Sequence, residues 1–247
     1  MDTPAPLRRL LACLDLTRLG DADTPADIAA LCDLAARLPV APAALCVHPE
    51  MITTARDGLL RRGLAGVAIA TVVNFPDGAA DPARCRREIH RACGAGAQEI
   101  DAVLPWNALL DDDPDAVVAC LVAVREASGP LPLKVIIESG ELGSAGRIRE
   151  ASLLAIHAGA DFIKTSTGKA RVHATPEAAE VMLQAIADTG GHCGFKAAGG
   201  IRTPEEAARY VDIAARLLGP LWVTPTRFRI GASSLAEAVL AQLSPTA

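Results

Sequence analysis

The sequence predicts an α/β fold: one (β/α)8 barrel of parallel strands, a single domain spanning residues 1–247. Three observations lead there. Short apolar segments alternate with longer Ala-rich amphipathic ones, eight times over. No Pro/Ser-rich linker interrupts them. The chain has 247 residues, and about 250 is the usual length for eight β/α units.

The expected strands are "LACLDL" (11–16), "ALCVH" (44–48), "GVAIATVV" (66–73), "QEIDAVL" (98–104), "PLKVIIE" (132–138), "DFIKTS" (161–166), "GFKAA" (194–198) and "RFRIGA" (227–232). Helical stretches lie between them, such as residues 24–38 and 175–190, each opening with Thr-Pro. In the next, residues 202–219, Thr203 is the expected N-cap and Glu206 closes a capping box. The last helix is expected over 234–243. A doubly wound sheet would show a Gly-rich turn after an early strand, and "LDLTRLG" has none. "GAGAQE" (94–99) precedes a strand rather than following one, and reads as a loop.

Hydrophobic residues make up 51% and charged residues 21%, enough for a large core and against disorder. Aromatics are only 3%, so Ala, Leu, Val and Ile must build that core, which suits parallel strands covered by helices. The net charge of -5, with no long basic run, argues against nucleic acid and anionic membrane as partners. An anionic small substrate then needs a local cationic or dipolar site. The seven cysteines form no Cys-x-x-Cys pair, and their odd number predicts free thiols in a reducing cytoplasm. "LLACLDL", which contains Asp15, is too short and too polar for a signal peptide or a membrane span.

Four lysines stand against twenty arginines. Lys134, Lys164, Lys169 and Lys196 all fall on or just after predicted strands five, six and seven. Side chains alternate along a strand, so Lys134, Lys164 and Lys196 are expected inside the barrel at similar depth. Asp101 on strand four and Asp15 on strand one are expected to join them, with Asp15 and Lys134 among the residues that bind substrate. Arginine serves where only charge is needed. It cannot replace a lysine that must lose its proton and attack a carbonyl. A free lysine amine is almost wholly protonated at neutral pH, with a pKa near ~10.4. A second ammonium in the same dry pocket makes the proton easier to lose. Lys164 beside Lys196 is such a pair, and Asp101 is placed for general acid/base work, directly or through a water.

An anion site is expected next to these lysines. "AAGGIRT" (197–203) and "GASS" (231–234) follow strands seven and eight, where this fold binds phosphate. Gly199 and Gly200 allow close backbone approach. Gly231, Ser233 and Ser234 offer N–H and hydroxyl donors at the start of the last helix. Thr167, Gly168 and Lys169 add donors and charge.

"LDLTRL", "ATVVNFPDG", "EIDAVLPWNALL", "LKVIIESGEL", "GADFIKTSTGK", "GFKAAGGIRT" and "RIGASS" resemble deoxyribose-phosphate aldolases, motif after motif and in order, from about residue 8 to residue 240. The resemblance implies that Lys164 is the Schiff-base lysine, Lys196 the neighbour that eases its deprotonation, and Asp101 the proton-transfer carboxylate. It implies reversible cleavage of 2-deoxy-D-ribose 5-phosphate to D-glyceraldehyde 3-phosphate and acetaldehyde, with no metal or organic cofactor, in a dimer or higher oligomer. Some members end in a tail with a terminal tyrosine implicated in proton transfer. Here the last residues are "LAQLSPTA" and the one tyrosine is Tyr210, so proton transfer is expected to rest on Asp101, Lys196 and water.

"DDDPD" (111–115) lacks the spacing of a calcium loop and reads as a solvated helix entry. "CVH" (46–48) and "HRAC" (90–93) have no second ligand pair at zinc-finger spacing. Cys46 ends strand two, without a histidine pattern to activate it. Two other readings remain open: a Schiff-base barrel aldolase with a different carbonyl donor, and a non-catalytic barrel that binds phosphosugars.

Overall fold

The computed structural model describes residues 3–243. Residues 1, 2 and 244–247 of the expected domain lie outside the described residues. Eight parallel strands close into a barrel in sequence order. They are β1 (Leu14–Arg18), β2 (Ala44–Val47), β3 (Ala68–Val73), β4 (Glu99–Val103), β5 (Leu133–Ile136), β6 (Phe162–Lys164), β7 (Gly194–Ala198) and β8 (Phe228–Gly231), and β8 pairs back onto β1. The eight connecting helices are α2 (Pro25–Arg37), α3 (Ile52–Arg61), α4 (Pro82–Ala95), α6 (Pro114–Ser128), α8 (Ala145–His157), α9 (Pro176–Asp188), α10 (Pro204–Leu218) and α11 (Ser234–Leu243). Three further helices depart from the expected count: α1 (Ala5–Ala12), α5 (Trp106–Leu110) and α7 (Ser139–Leu142).

The first strand was expected from residue 11, yet Leu11 and Ala12 close α1 and β1 starts at Leu14. The apolar run spans a helix end and a strand, and periodicity does not divide so short a run. Helix starts follow their caps. The Thr203 hydroxyl accepts the Glu206 N–H at 3.2 Å, and Glu206 Oε2 accepts the Thr203 N–H at 3.2 Å. Thr24 with Asp27 builds the same box on α2, and Thr175 caps α9.

Alternation along each strand sorts the side chains into two environments. Leu14, Leu16, Leu45, Ile69, Val135, Ile163, Phe195 and Ile230 face outward into the main core with the helices. Inside the barrel, Ala44, Cys46, Ala70 and Val72 form a separate small apolar cluster with Leu19 on the β2–β3 side. The opposite inner wall carries the charges.

The register offsets adjacent strands so that alternate strands fill alternate layers. Following the pairings around the barrel puts Cys46, Asp101, Lys164 and Gly231 in one layer. Beneath it lie Asp15, Ala70, Lys134 and Lys196, and beneath those Ala44, Glu99, Phe162 and Arg229. The three lysines are therefore not at one depth. Lys164, on an even strand, stands a layer above Lys134 and Lys196, on odd ones.

The foot of the barrel is filled by Phe162, whose ring lies under the Arg229 guanidinium at 5.4 Å. Gly194 makes room for it: a Cβ there would lie 2.5 Å from the Phe162 ring and 2.8 Å from the Arg227 carbonyl oxygen. Gly194→Ala should therefore destabilise the barrel by about 1–3 kcal/mol, the usual cost of overpacking. Urea unfolding of the two proteins measures it, and an unchanged midpoint would contradict the packing.

Candidate active site

A cavity of about 310 Å³ opens at the C-terminal end of β1, β6, β7 and β8. Lys164 is its floor. Thr167, Gly168 and Lys169 form one wall, Gly199 and Gly200 the next, and Gly231, Ser233 and Ser234 the third. These sequence-predicted residues come together in one place. Asp101 lies beside Lys164 in the same layer and Lys196, Asp15 and Lys134 a layer below, each of the four wholly buried. Asp15 and Lys134 were expected to meet substrate. They sit a layer under the floor, saturated by ion pairs.

Asp101 is the hub. Its Oδ2 accepts from Lys164 Nζ at 2.8 Å and from Lys196 Nζ at 2.8 Å, and its Oδ1 accepts from Lys134 Nζ at 2.8 Å. Asp15 Oδ2 takes Lys196 at 2.5 Å, with Lys134 at 3.7 Å, while its Oδ1 takes Arg229 at 2.6 Å. Glu99 takes Lys134 at 2.5 Å and Arg229 at 2.9 Å. The lysines thus differ in partnership. Lys134 has three carboxylates within reach, Lys196 has two, and Lys164 has only a share of Asp101.

Burial opposes ionisation of Asp101, yet Lys134, Lys164 and Lys196 together hold its carboxyl well below the usual carboxylate range. Asp15 is likewise held low against burial, by Lys196, Arg229 and Lys134. Burial pulls the Lys196 ammonium down, but Asp101 and Asp15 outweigh it and the net shift is upward. Lys196 is thus held toward its charged form, on the same carboxylate oxygen as Lys164. Cys46 lies within the same layer, its Sγ 3.9 Å from Asp101 Oδ2. Burial and the Asp101 charge push that thiol up, away from nucleophilic chemistry.

The upper walls suit an anion. Gly199 and Gly200 adopt φ of 89° and 78°, which a residue with a Cβ rarely tolerates. Ser234 opens α11, and helix N-termini present free N–H groups. One expected donor is already committed. The Ser233 hydroxyl accepts the Thr17 N–H at 2.9 Å and donates to the Thr17 carbonyl at 2.8 Å, stitching the ends of β1 and β8 together. Lys169 Nζ reaches across the mouth to Asp21 at 2.6 Å.

Several participants were not singled out in the sequence. Thr17, Leu19 and Arg202 line the cavity, and Glu99 and Arg229 complete the ion cluster. Alternation could have found the last two, since each stands two residues before an inward residue, Asp101 and Gly231. Glu138, just past β5 with φ of 50°, accepts the Thr167 N–H at 3.2 Å. Burial raises its carboxyl toward the neutral form. Tyr210 is buried in α10, its phenol pushed up to about 12 by that burial. All seven cysteines are free thiols. Among the described residues no group of three or more His, Cys, Asp or Glu could hold a metal ion, and no helix is long and apolar enough to cross a membrane.

A closed β/α barrel with a buried lysine cluster beneath an open C-terminal mouth is an enzyme's scaffold and site. The family model of the DeoC/LacD family aldolases matches residues 9–238, and the chain belongs to that family. Among solved structures, one from Toxoplasma gondii, described as a candidate deoxyribose-phosphate aldolase, is 27% identical with a TM-score of 0.88, covering 98% of each chain. A Coccidioides immitis protein described in the same way is 29% identical, with a TM-score of 0.81 over 96% of this chain and 88% of that one. The deoxyribose phosphate aldolase of Aeropyrum pernix, a tetramer, is 25% identical with a TM-score of 0.76, covering 97% of this chain and 92% of that one.

The ion cluster carries a pH signature. Asp15 and Asp101 are held below their ordinary values in the fold. The stability they contribute is therefore complete above the unfolded carboxyl value of about 3.9, and is lost as pH falls through the lower folded values. The urea midpoint should be flat from about pH 7 to about pH 5 as far as these groups are concerned, and should fall steeply below about pH 4. Asp101→Asn should flatten that acid limb. An identical acid limb in both proteins would show that Asp101 is not ion-paired as described.

Proposed function

We propose that this aldolase is a Schiff-base enzyme that reversibly cleaves 2-deoxy-D-ribose 5-phosphate to D-glyceraldehyde 3-phosphate and acetaldehyde. The observation that carries the reading is the position of Lys164: it is the one barrel lysine on the cavity floor, and it has the fewest carboxylate partners. The Lys164 amine adds to C1 of the open-chain sugar and water leaves, forming the imine. A base takes the proton of the C3 hydroxyl, the C2–C3 bond breaks, and its electrons pass into the imine as an enamine while glyceraldehyde 3-phosphate departs. Protonation at C2 and addition of water release acetaldehyde and the free amine. Asp101 Oδ2 holds both the Lys164 and the Lys196 nitrogen, so proton traffic at C2 and C3 runs through Lys196 and Asp101 or through a water they hold.

The phosphate lies at the other end of the cavity, on the backbone of Gly199, Gly200 and Gly231, on Ser234, and on the α11 N-terminus, with Ser233 contributing backbone rather than hydroxyl. Thr167, Gly168 and Lys169 close that wall. Asp15 and Lys134 support the reaction from beneath rather than by contact with substrate. We extend the reading to a homo-oligomer in the cytoplasm, supported by the tetrameric relative and by seven free thiols.

Incubation with deoxyribose 5-phosphate followed by borohydride should leave a reduced adduct on Lys164, located by peptide mass. Lys164→Arg should abolish turnover, because a guanidinium keeps its proton and forms no imine. An adduct on Lys196 with Lys164 untouched would reverse the two roles. A donor screen separates the closest rival: turnover with a ketone or a 2-oxo acid in place of acetaldehyde would point to a different aldol donor.

The phosphate end is tested at Ser234. A charge-assisted hydrogen bond is worth about 1.5–3 kcal/mol, and a carboxylate there would also repel a dianion. Ser234→Asp should raise KM for deoxyribose 5-phosphate about tenfold or more and spare unphosphorylated deoxyribose. Equal losses of kcat/KM on both sugars would remove the phosphate from this wall.

A further inference from the structure

The buried cluster does not balance its charges. Lys134, Lys164, Lys196 and Arg229 face Asp15, Glu99 and Asp101, through the ion pairs described above. Within the barrel wall four cations meet three carboxylates, shielded from water except at the cavity end, with Glu138 just beyond β5 outside this count. A surplus proton in such a place is costly, and it is relieved at the site that holds it most weakly. Arg229 cannot release one. Lys134 and Lys196 are tied to three and two carboxylates. Lys164 shares one and opens to the cavity.

We propose that Arg229 and Glu99, at the foot of the barrel, are positioning residues that set the charge balance of the site, so that the surplus positive charge falls on Lys164. The proposal rests on the imine reading and deepens it. Arg229 reaches Asp15 and Glu99, and stacks on Phe162. Its Nε donates to the Pro225 carbonyl. Neither Arg229 nor Glu99 lines the cavity, so both act through the layers between. Arg229 occupies Asp15 Oδ1 and Glu99 Oε1. Without it those carboxylates would be free to neutralise the lysines above.

The groups around Lys164 come from every side. Asp101 faces it from β4 and Lys196 from β7. Lys134 on β5 and Asp15 on β1 lie in the layer below. Cys46 faces from β2, raised by burial. Glu138, above β5, accepts the Thr167 N–H, and the nearby Lys164 charge opposes the rise that burial causes in its carboxyl. Lys169 at the mouth is paired with Asp21. Arg202 lines the same cavity, and within the buried cluster the one cation that cannot titrate is Arg229.

The test reads imine formation itself. The whole protein is incubated with acetaldehyde and cyanoborohydride from about pH 5 to about pH 10, and the rate of reductive alkylation of Lys164 is followed by peptide mass. Amine and aldehyde give imine and water, and the reagent's hydride reduces the imine to a stable secondary amine. Arg229→Met removes the surplus charge, and the half-maximal pH should rise by about one unit or more. Glu99→Gln adds to the surplus and should lower it. The double variant Arg229→Met/Glu99→Gln restores the surplus and should return the profile toward that of the wild type. Arg229→Lys keeps the charge and should stay close to it. Circular dichroism first establishes that each variant is folded. Superimposable profiles for folded Arg229→Met and wild type, or a double variant as shifted as Arg229→Met, would overturn the proposal. Should Arg229→Met fail to fold, Glu99→Gln decides alone: an acid shift supports the proposal, and no shift or an alkaline one overturns it. Wild type that forms no Lys164 adduct at any pH would sink the imine reading and this proposal with it. An adduct whose profile ignores both residues would sink only this one.

Discussion

One carboxylate organises the interior. Asp101 accepts hydrogen bonds from three lysine ammoniums that reach it from β5, β6 and β7. Three ammoniums this close would repel one another strongly in a medium of low dielectric constant. Asp101 alone does not remove that repulsion, and Asp15 and Glu99 take up the remainder from the layers below. The result is a column of alternating charge that runs from the cavity floor to the foot of the barrel. Removing one of the carboxylates leaves a further uncompensated buried charge, which costs far more than the whole cluster contributes to stability.

That column requires a particular barrel wall. The charged half of the interior is faced by Ala44, Cys46, Ala70 and Val72, side chains small enough to leave room for the long lysine stems. Glycine does the same work on the charged side. A Cβ at Gly231 would lie 3.2 Å from Lys196 Cε and 3.1 Å from the Ala198 Cβ, so the absence of a side chain there lets the Lys196 stem pass. Outside, an Ala-, Leu- and Ile-rich core and capped helices hold the strands in register. The near absence of aromatics fits this division, since large rings inside the barrel would displace the ion pairs. Phe162, at the foot, is the exception, and Gly194 accommodates it.

The fold was legible because its signals are local. Alternation, length and cap residues such as Thr203 and Glu206 located all eight strands and the helices between them. What escaped were one- and two-turn helices, α5 and α7, too short for periodicity to register, and the division of one apolar run between α1 and β1. The site was legible in part. Scarcity made the lysines conspicuous, and strand alternation turned them inward. Their relative depth was not available, because it depends on the stagger of a closed sheet, which is a property of the pairing and not of any one strand. Arg229 and Glu99 were hidden for a different reason. In a chain with twenty arginines another arginine draws no notice, although the same alternation that placed Lys196 places Arg229.

The use of two kinds of cation then has a physical sense. At the foot of the barrel a guanidinium spans Asp15 and Glu99 with separate nitrogens, a geometry that a single ammonium cannot reproduce, and it stays charged at every accessible pH. In the layers above, compact ammoniums converge on single carboxylate oxygens, where a planar guanidinium would not fit. Only the topmost of these meets the cavity, and it is the one with the least carboxylate to itself. Among the lysines, the gradient of partnership from Lys134 through Lys196 to Lys164 follows the climb toward the open mouth. A cation that must stay charged is placed away from the mouth, where carboxylates surround it. A nitrogen that must meet a carbonyl is placed where those conditions are reversed.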